Sequence, residues 1–135
     1  MVCATAAVDM SSSRPRVLIV EDDHDLRRLY AVGLTKRGYE VLLAGTGADA
    51  LDRVETDRPD IVLVDISMPV MDGWELIERL NPPKRGGIDF PVIVVTGRKK
   101  PEDYRGQACI VDWIEKPVSI ETLVRRVESH LGRDH

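Results

Sequence analysis

The chain has little aromatic character, almost no cysteine, no long apolar run and no excess of positive charge. Aromatic residues make up only 4% of its 135 residues, which leaves any core to aliphatic side chains. The two cysteines, Cys3 and Cys109, lie far apart and belong to no Cys-x-x-Cys or Cys/His spacing, so neither a disulfide framework nor a zinc-type site is expected. They read as free thiols of a reducing compartment, and a cytoplasmic location is expected. His24, His130 and His135 share no metal-like spacing and are expected at the surface. No stretch reaches the roughly 18 apolar residues of a membrane span, and Met1 to Ser13 lacks the apolar core of a signal peptide. With 19 basic against 23 acidic side chains, the net charge is -4. A nucleic-acid footprint across the fold, and direct DNA binding with it, are therefore not expected. Only Arg98-Lys99-Lys100 forms a local basic cluster.

What is present is a regular alternation of apolar runs and helical segments. Five short runs read as strands: Val17 to Val20 (β1), Val41 to Ala44 (β2), Ile61 to Val64 (β3), Val92 to Val95 (β4) and Val111 to Ile114 (β5). Between and after them lie five helical segments: Leu26 to Arg37 (α1), Ala48 to Thr56 (α2), Gly73 to Leu80 (α3), Arg98 to Ala108 (α4) and Ile120 to Leu131 (α5). In α1 the apolar stripe reads Leu26, Leu29, Tyr30 and Leu34, with Gly38 as carboxyl-terminal cap. In α2 it reads Ala50, Leu51 and Val54; in α3 Trp74, Ile77 and Leu80. In α5 Ser119 caps a stripe of Leu123, Val124, Val127 and Leu131. The α4 segment is the weakest, with Pro101, Gly106 and many charges. Alternation of this kind predicts a parallel sheet with right-handed crossovers. The expected organisation is a single domain over residues 15–132, with a flexible tail over 1–14 and a short one over 133–135. Met10 offers an alternative start. A chain of this length buries roughly 70% of its unfolded surface and has no room for a separate substrate domain.

The chemistry collects where the strands end. Ligands of open α/β sheets bind outside the carboxyl ends of the strands. Val20 leads into Glu21-Asp22-Asp23, Val64 into Asp65, Val95 into Thr96, and Glu115 is followed by Lys116-Pro117. In a parallel sheet all four ends open on one rim. Repulsion among Glu21, Asp22 and Asp65 calls for a counter-charge, and a hard divalent ion such as Mg²⁺, or Mn²⁺ in its place, suits carboxylate oxygens. Carboxylates for the metal, a carboxylate nucleophile, an ammonium and a hydroxyl together make a phosphoryl-transfer site.

In its order and spacing of LIVEDD, VLVDISMPVMDG, VVTG and IEKP, the sequence from about Arg16 to Leu131 resembles the receiver domain of two-component response regulators. The resemblance implies an α/β fold: a doubly wound, flavodoxin-like (βα)5 domain with strand order 2-1-3-4-5. It also implies that a sensor histidine kinase or histidine phosphotransfer protein donates a phosphoryl group to Asp65. Glu21 and Asp22 match the acidic pair; Asp22, Asp65 and the Ser67 backbone carbonyl would hold Mg²⁺. Thr96 and Lys116 match the residues that grip the phosphoryl oxygens, and the Lys116–Pro117 peptide is expected to be cis. Trp113 takes the place of the family's switch aromatic, usually Tyr or Phe, and would remodel the face built by α4, β5 and α5. Ser67 and Arg98 sit where side chains control water access to the phosphoryl group. Cys109 stands where glycine is common. Such a domain is not an enzyme with turnover, apart from its own dephosphorylation. Partners would be the phosphodonor and a downstream protein that the sequence does not name; no membrane is involved, and the state is monomeric or dimeric on phosphorylation.

Blander readings exist for each residue. Asp23 serves as the amino-terminal charge of α1. Trp113 is as well explained by core packing as by a switch, and its indole would also make a docking surface. Gly45-Thr46-Gly47-Ala48-Asp49-Ala50 fits a dinucleotide fingerprint, but reads better as a tight turn into α2. The alternative for the whole chain is a phosphorylation-independent interaction module that kept the fold, a pseudo-receiver. With no output domain after Leu131, the sequence as it stands is expected to act as a stand-alone regulator, a relay intermediate or a phosphate sink.

Overall fold

A computed structural model describes residues 14–67, 73–80, 90–99 and 109–131. Every apolar run is a strand: β1 Arg16–Val20, β2 Glu40–Ala44, β3 Ile61–Val64, β4 Val92–Thr96 and β5 Ile110–Glu115. All pair in parallel in a five-stranded sheet of order β2-β1-β3-β4-β5, the predicted topology. The described helices are α1 His24–Lys36, α2 Gly47–Asp57, α3 Gly73–Leu80 and α5 Ile120–Leu131. Of the segment expected as α4, Arg98 and Lys99 are non-helical and residues 100–108 lie outside the described residues. So do the expected tails, Arg14 excepted.

The strands carry apolar residues on both faces because both faces are covered. Leu18 and Val20 of β1 pack with Ala50 and Val54 of α2 and Leu76, Ile77 and Leu80 of α3. Val17 and Ile19, pointing the opposite way, pack with Tyr30 and Leu34 of α1 and Leu123, Val124 and Val127 of α5. Period-two side-chain direction thus divides one strand between two cores. Burial of each such side chain is worth about 1.5–3 kcal/mol. Two expectations need correction. Leu29 is 48% exposed, because the buried stripe of α1 runs through Leu26, Tyr30 and Leu34 at steps of four and leaves Leu29 on the solvent side. In α3, Leu76 is fully buried while Trp74 is only partly covered.

Helix ends follow local chemistry. The Asp23 carboxylate accepts from the N–H groups of Asp25 at 3.0 Å and Leu26 at 3.1 Å, so α1 starts two residues before the first apolar position. Thr46 Oγ1 accepts from Asp49 N at 3.1 Å, which makes the glycine-rich stretch a capped turn into α2. Ser119 Oγ accepts from Thr122 N at 3.1 Å. At the far end of α1, Gly38 has φ 94°; its N–H reaches Thr35 O at 3.0 Å, and that of Tyr39 reaches Leu34 O at 3.2 Å. This paired closure needs a left-handed residue at position 38, and it turns buried Tyr39 beneath the helix.

At the sheet edge, Val92 pairs with Ile110 but Ile93 pairs with Asp112, so Val111 is an inserted residue. One extra residue reverses side-chain parity. Trp113 thereby joins the core beside α3, its ring 5.9 Å from that of Trp74. Asp112 turns toward α5, where it meets Arg126 through both oxygens and His130 Nε2 at 3.0 Å. His130, expected simply at the surface, is therefore tied to β5, with 29% of its side chain exposed.

Two outcomes follow from these contacts. Gly38→Ala should cost about 1–2 kcal/mol through the left-handed backbone penalty; an unchanged urea midpoint would contradict it. Burial disfavours the charge of Asp112, but hydrogen bonds from Arg126, His130 and the Trp113 N–H outweigh it and hold its pKa below the ordinary 3.8. A depressed folded-state pKa gives stability that is present above 3.8 and lost as pH falls through the folded value. Denaturation of the parent and of Asp112→Asn should accordingly show a gap that is steady well above that pH and closes in acid. A gap that widens in acid would contradict the pairing.

Candidate functional site

The site is built where the backbone ladder runs one residue past the strands. Glu21 N bonds to Ala44 O at 3.1 Å, Asp65 N to Val20 O at 3.1 Å, and Lys116 N to Thr96 O at 2.8 Å. The residues that follow β1, β3 and β5 are thus fixed by main-chain bonds before their side chains make any contact. At the rim Lys116 Nζ donates to Glu21 Oε1 at 2.8 Å and to Asp65 Oδ2 at 2.9 Å. The other oxygen of each acid is also engaged. Asp65 Oδ1 accepts from Ser67 N at 2.9 Å, and Glu21 Oε2 from Asp23 N at 3.2 Å. Asp22 projects to solvent beside them.

Burial makes these charges interdependent. Glu21 is 2% exposed and Asp65 7%. Desolvation pushes the Glu21 carboxyl above its usual range, against the hydrogen bonds from Lys116 and the Asp23 N–H; the nearby Asp65 charge adds to the rise. For Lys116, burial acts against the ammonium, but its bonds to Glu21 and Asp65 and their charges prevail and hold its pKa above the ordinary lysine value. The cation is therefore permanent at neutral pH. Carboxylate oxygens of Glu21, Asp22 and Asp65 lie within 4.8 Å of one another. An all-oxygen, acidic set with one exposed member fits a hard divalent ion such as Mg²⁺ or Mn²⁺, and not a softer metal that prefers His or Cys.

A second line of contacts leads away from the carboxylates. Thr96 is fully buried; its Oγ1 lies 3.4 Å from Ser67 Oγ and 3.4 Å from the Arg98 N–H that it accepts. The carbonyl of Arg98 in turn accepts from Trp113 Nε1 at 3.2 Å. Trp113 is 6% exposed, so in this conformation its indole is held inside and offers no docking surface. The Lys116–Pro117 peptide is cis, the isomer expected at that step.

The structure thus brings Glu21, Asp22, Asp65, Ser67, Thr96 and Lys116 to one rim, with Trp113 connected to it through Arg98. Sequence reasoning missed Arg27, whose Nη1 donates to the backbone carbonyl of Glu21 at 2.7 Å. Its only signal is its place one turn into α1 behind the acidic loop, and nothing in the sequence separates it from its neighbour Arg28.

Comparison with known proteins agrees with this architecture. Residues 17–128 match the family model of the response regulator receiver domain. Response regulator MprA of Mycolicibacterium vanbaalenii is 38% identical over 120 residues, covering 87% of this chain and 51% of that protein. MprA of Mycobacterium tuberculosis is 38% identical over 121 residues. The chain spans about half the length of these curated relatives. Among solved structures, a CheY-like receiver domain protein from Methanospirillum hungatei superimposes with a TM-score of 0.78 at 31% identity, covering 89% of this chain and 95% of that one. The chemotaxis protein CheY4 of Vibrio cholerae gives 0.77 at 29% identity, with 87% and 98% covered. A parallel sheet of order 2-1-3-4-5, an acidic rim answered by a lysine, and these matches over nearly all of the described residues have one meaning: the chain belongs to the family of response regulator receiver domains.

Proposed function

We propose that this receiver domain accepts a phosphoryl group on Asp65 from a sensor histidine kinase or a histidine phosphotransfer protein, with Mg²⁺ or Mn²⁺ bound. The observation that carries the reading is the Asp65 carboxylate, buried at the end of β3 and bridged by Lys116 to Glu21. A carboxylate oxygen of Asp65 attacks phosphorus, the P–N bond to the donor histidine breaks, and an acyl phosphate forms as the imidazole leaves. Asp22, Asp65 and the Ser67 backbone carbonyl, with Glu21 behind them, are the groups that would hold the metal. Bound there, the ion would screen the charge of the incoming phosphoryl oxygens.

The protein's own part is positioning and charge. Glu21 and Asp65 orient the Lys116 ammonium, which can turn to a phosphoryl oxygen as the charge on Asp65 is esterified. The Thr96 hydroxyl is set to donate to another. Because Thr96 accepts from the Arg98 N–H and Trp113 donates to the Arg98 carbonyl, a shift of Thr96 is felt at the indole and so on the face that includes β5 and α5. Readout by a downstream protein on that face follows, in a monomer or in a dimer formed on phosphorylation. Beside Lys116 a cleft of about 360 Å³ is lined by Leu26, Tyr30, Pro117 and Val118, an apolar approach suited to a docking donor. No helix among the described residues is long and apolar enough to cross a membrane. In this reading the domain is a phosphoacceptor that also hydrolyses its own acyl phosphate, without turnover of another substrate.

Incubation with Mg²⁺ and a small phosphodonor should add one phosphoryl mass to the intact protein. The adduct should be absent in Asp65→Asn and after chelation of the metal. A parent protein that gains no mass, or an Asp65→Asn variant that gains as much as the parent, would overturn the assignment.

A further inference from the structure

We infer that Arg27 is a positioning residue for metal binding, acting through the backbone of the acidic loop, and that Gly45 is small because Arg27 occupies the space a side chain would need. The inference rests on the proposed metal-dependent reading of the rim and extends it to two residues outside the acidic cluster.

The acidic loop is held from two sides. Glu21 N–H is fixed to Ala44 O of β2 at 3.1 Å, and Glu21 C=O accepts from Arg27 Nη1 at 2.7 Å. These two bonds hold the peptides on either side of the Glu21 Cα, the second of which leads into Asp22. Asp22 itself is exposed, so its carboxylate depends on the backbone for its place. Arg27 is half-buried and makes no ion pair among the described residues. Its charge-assisted bond goes to a main-chain oxygen, although Asp49 and Asp52 line the same cleft. A hydrogen bond from a charged donor is about twice as strong as a neutral one.

Gly45 follows β2 directly and completes the arrangement. A Cβ there would lie 2.9 Å from Arg27 Nη1, 3.5 Å from its Cζ and 3.9 Å from its Nη2, the three atoms nearest to it. The backbone of Gly45 is not left-handed, so space for the guanidinium is the structural demand at this position. The group in the way is the far end of a flexible side chain. Gly45→Ala should therefore leave the fold intact while displacing Arg27 from the Glu21 carbonyl.

The positional role and a purely electrostatic one predict opposite signs. Arg27 carries positive charge near a cation site, so if only its field mattered, Arg27→Met would tighten Mg²⁺ binding. If its contact positions the loop, the same change weakens binding, by about 10-fold on the scale typical of groups that orient metal ligands. The test is calorimetric titration with Mg²⁺ of the parent, Arg27→Met, Gly45→Ala and the double variant. Both single variants should bind more weakly. The double should be no weaker than Arg27→Met, because the two changes break one contact. Tighter or unchanged binding in Arg27→Met, or unchanged binding in Gly45→Ala, overturns the inference while leaving the metal-dependent reading intact. A parent that binds no Mg²⁺ overturns both.

Discussion

The ammonium of Lys116, donating at once to Glu21 and Asp65, is the contact on which the rest of the site depends. Two carboxylates nearly closed off from water repel each other, and the ammonium is the positive charge that meets both. Lys116 can reach both because the ends of β1, β3 and β5 open on one rim and because its N–H is pinned to Thr96 O at 2.8 Å. The parallel sheet is thus more than a scaffold. It places three charges, from chain positions nearly a hundred residues apart, within hydrogen-bond reach.

Permanent positive charge beside an acidic cluster has a chemical consequence. In the proposed reading, Lys116 and a divalent cation would be alternative answers to the same negative charge, and the metal would also draw on Asp22, which Lys116 does not touch among the described contacts. On the proposed phosphorylation of Asp65, its carboxylate charge would be exchanged for phosphoryl oxygens, toward which the lysine would turn. Thr96, Arg98 and Trp113 form the adjoining line of contacts. Through that line a local change of charge at Asp65 would, in the proposed reading, reach the β5 edge, as in switches whose packed elements have discrete alternatives.

Much of this was legible in the sequence because it was written in short-range signals. Four uninterrupted aliphatic runs and a fifth, Val111 to Ile114, that includes Asp112 and Trp113 marked the strands, and the residues after them named the rim. The caps at Gly38 and Ser119 were local as well, whereas Asp23 read only as helix-terminal charge and the cap made by Thr46 went unread inside a tight turn. What the sequence concealed depends on three-dimensional company. Leu29 looks like a core residue, but only the helix phase set by Leu26, Tyr30 and Leu34 shows that it faces water. The Val111 bulge has no sequence mark, yet it sends Trp113 inward and Asp112 toward Arg126 and His130. Arg27 appears as one of two adjacent arginines until its guanidinium is found on the Glu21 carbonyl.

The central claim, that the Lys116 ammonium and the divalent cation compete to balance one set of carboxylates, is tested most directly by Mg²⁺ titration of Lys116→Met. Removing the competing charge should make Mg²⁺ bind more tightly than in the parent, and should make folding stability more dependent on the metal. Weaker or unchanged Mg²⁺ affinity in a folded Lys116→Met protein would contradict the account.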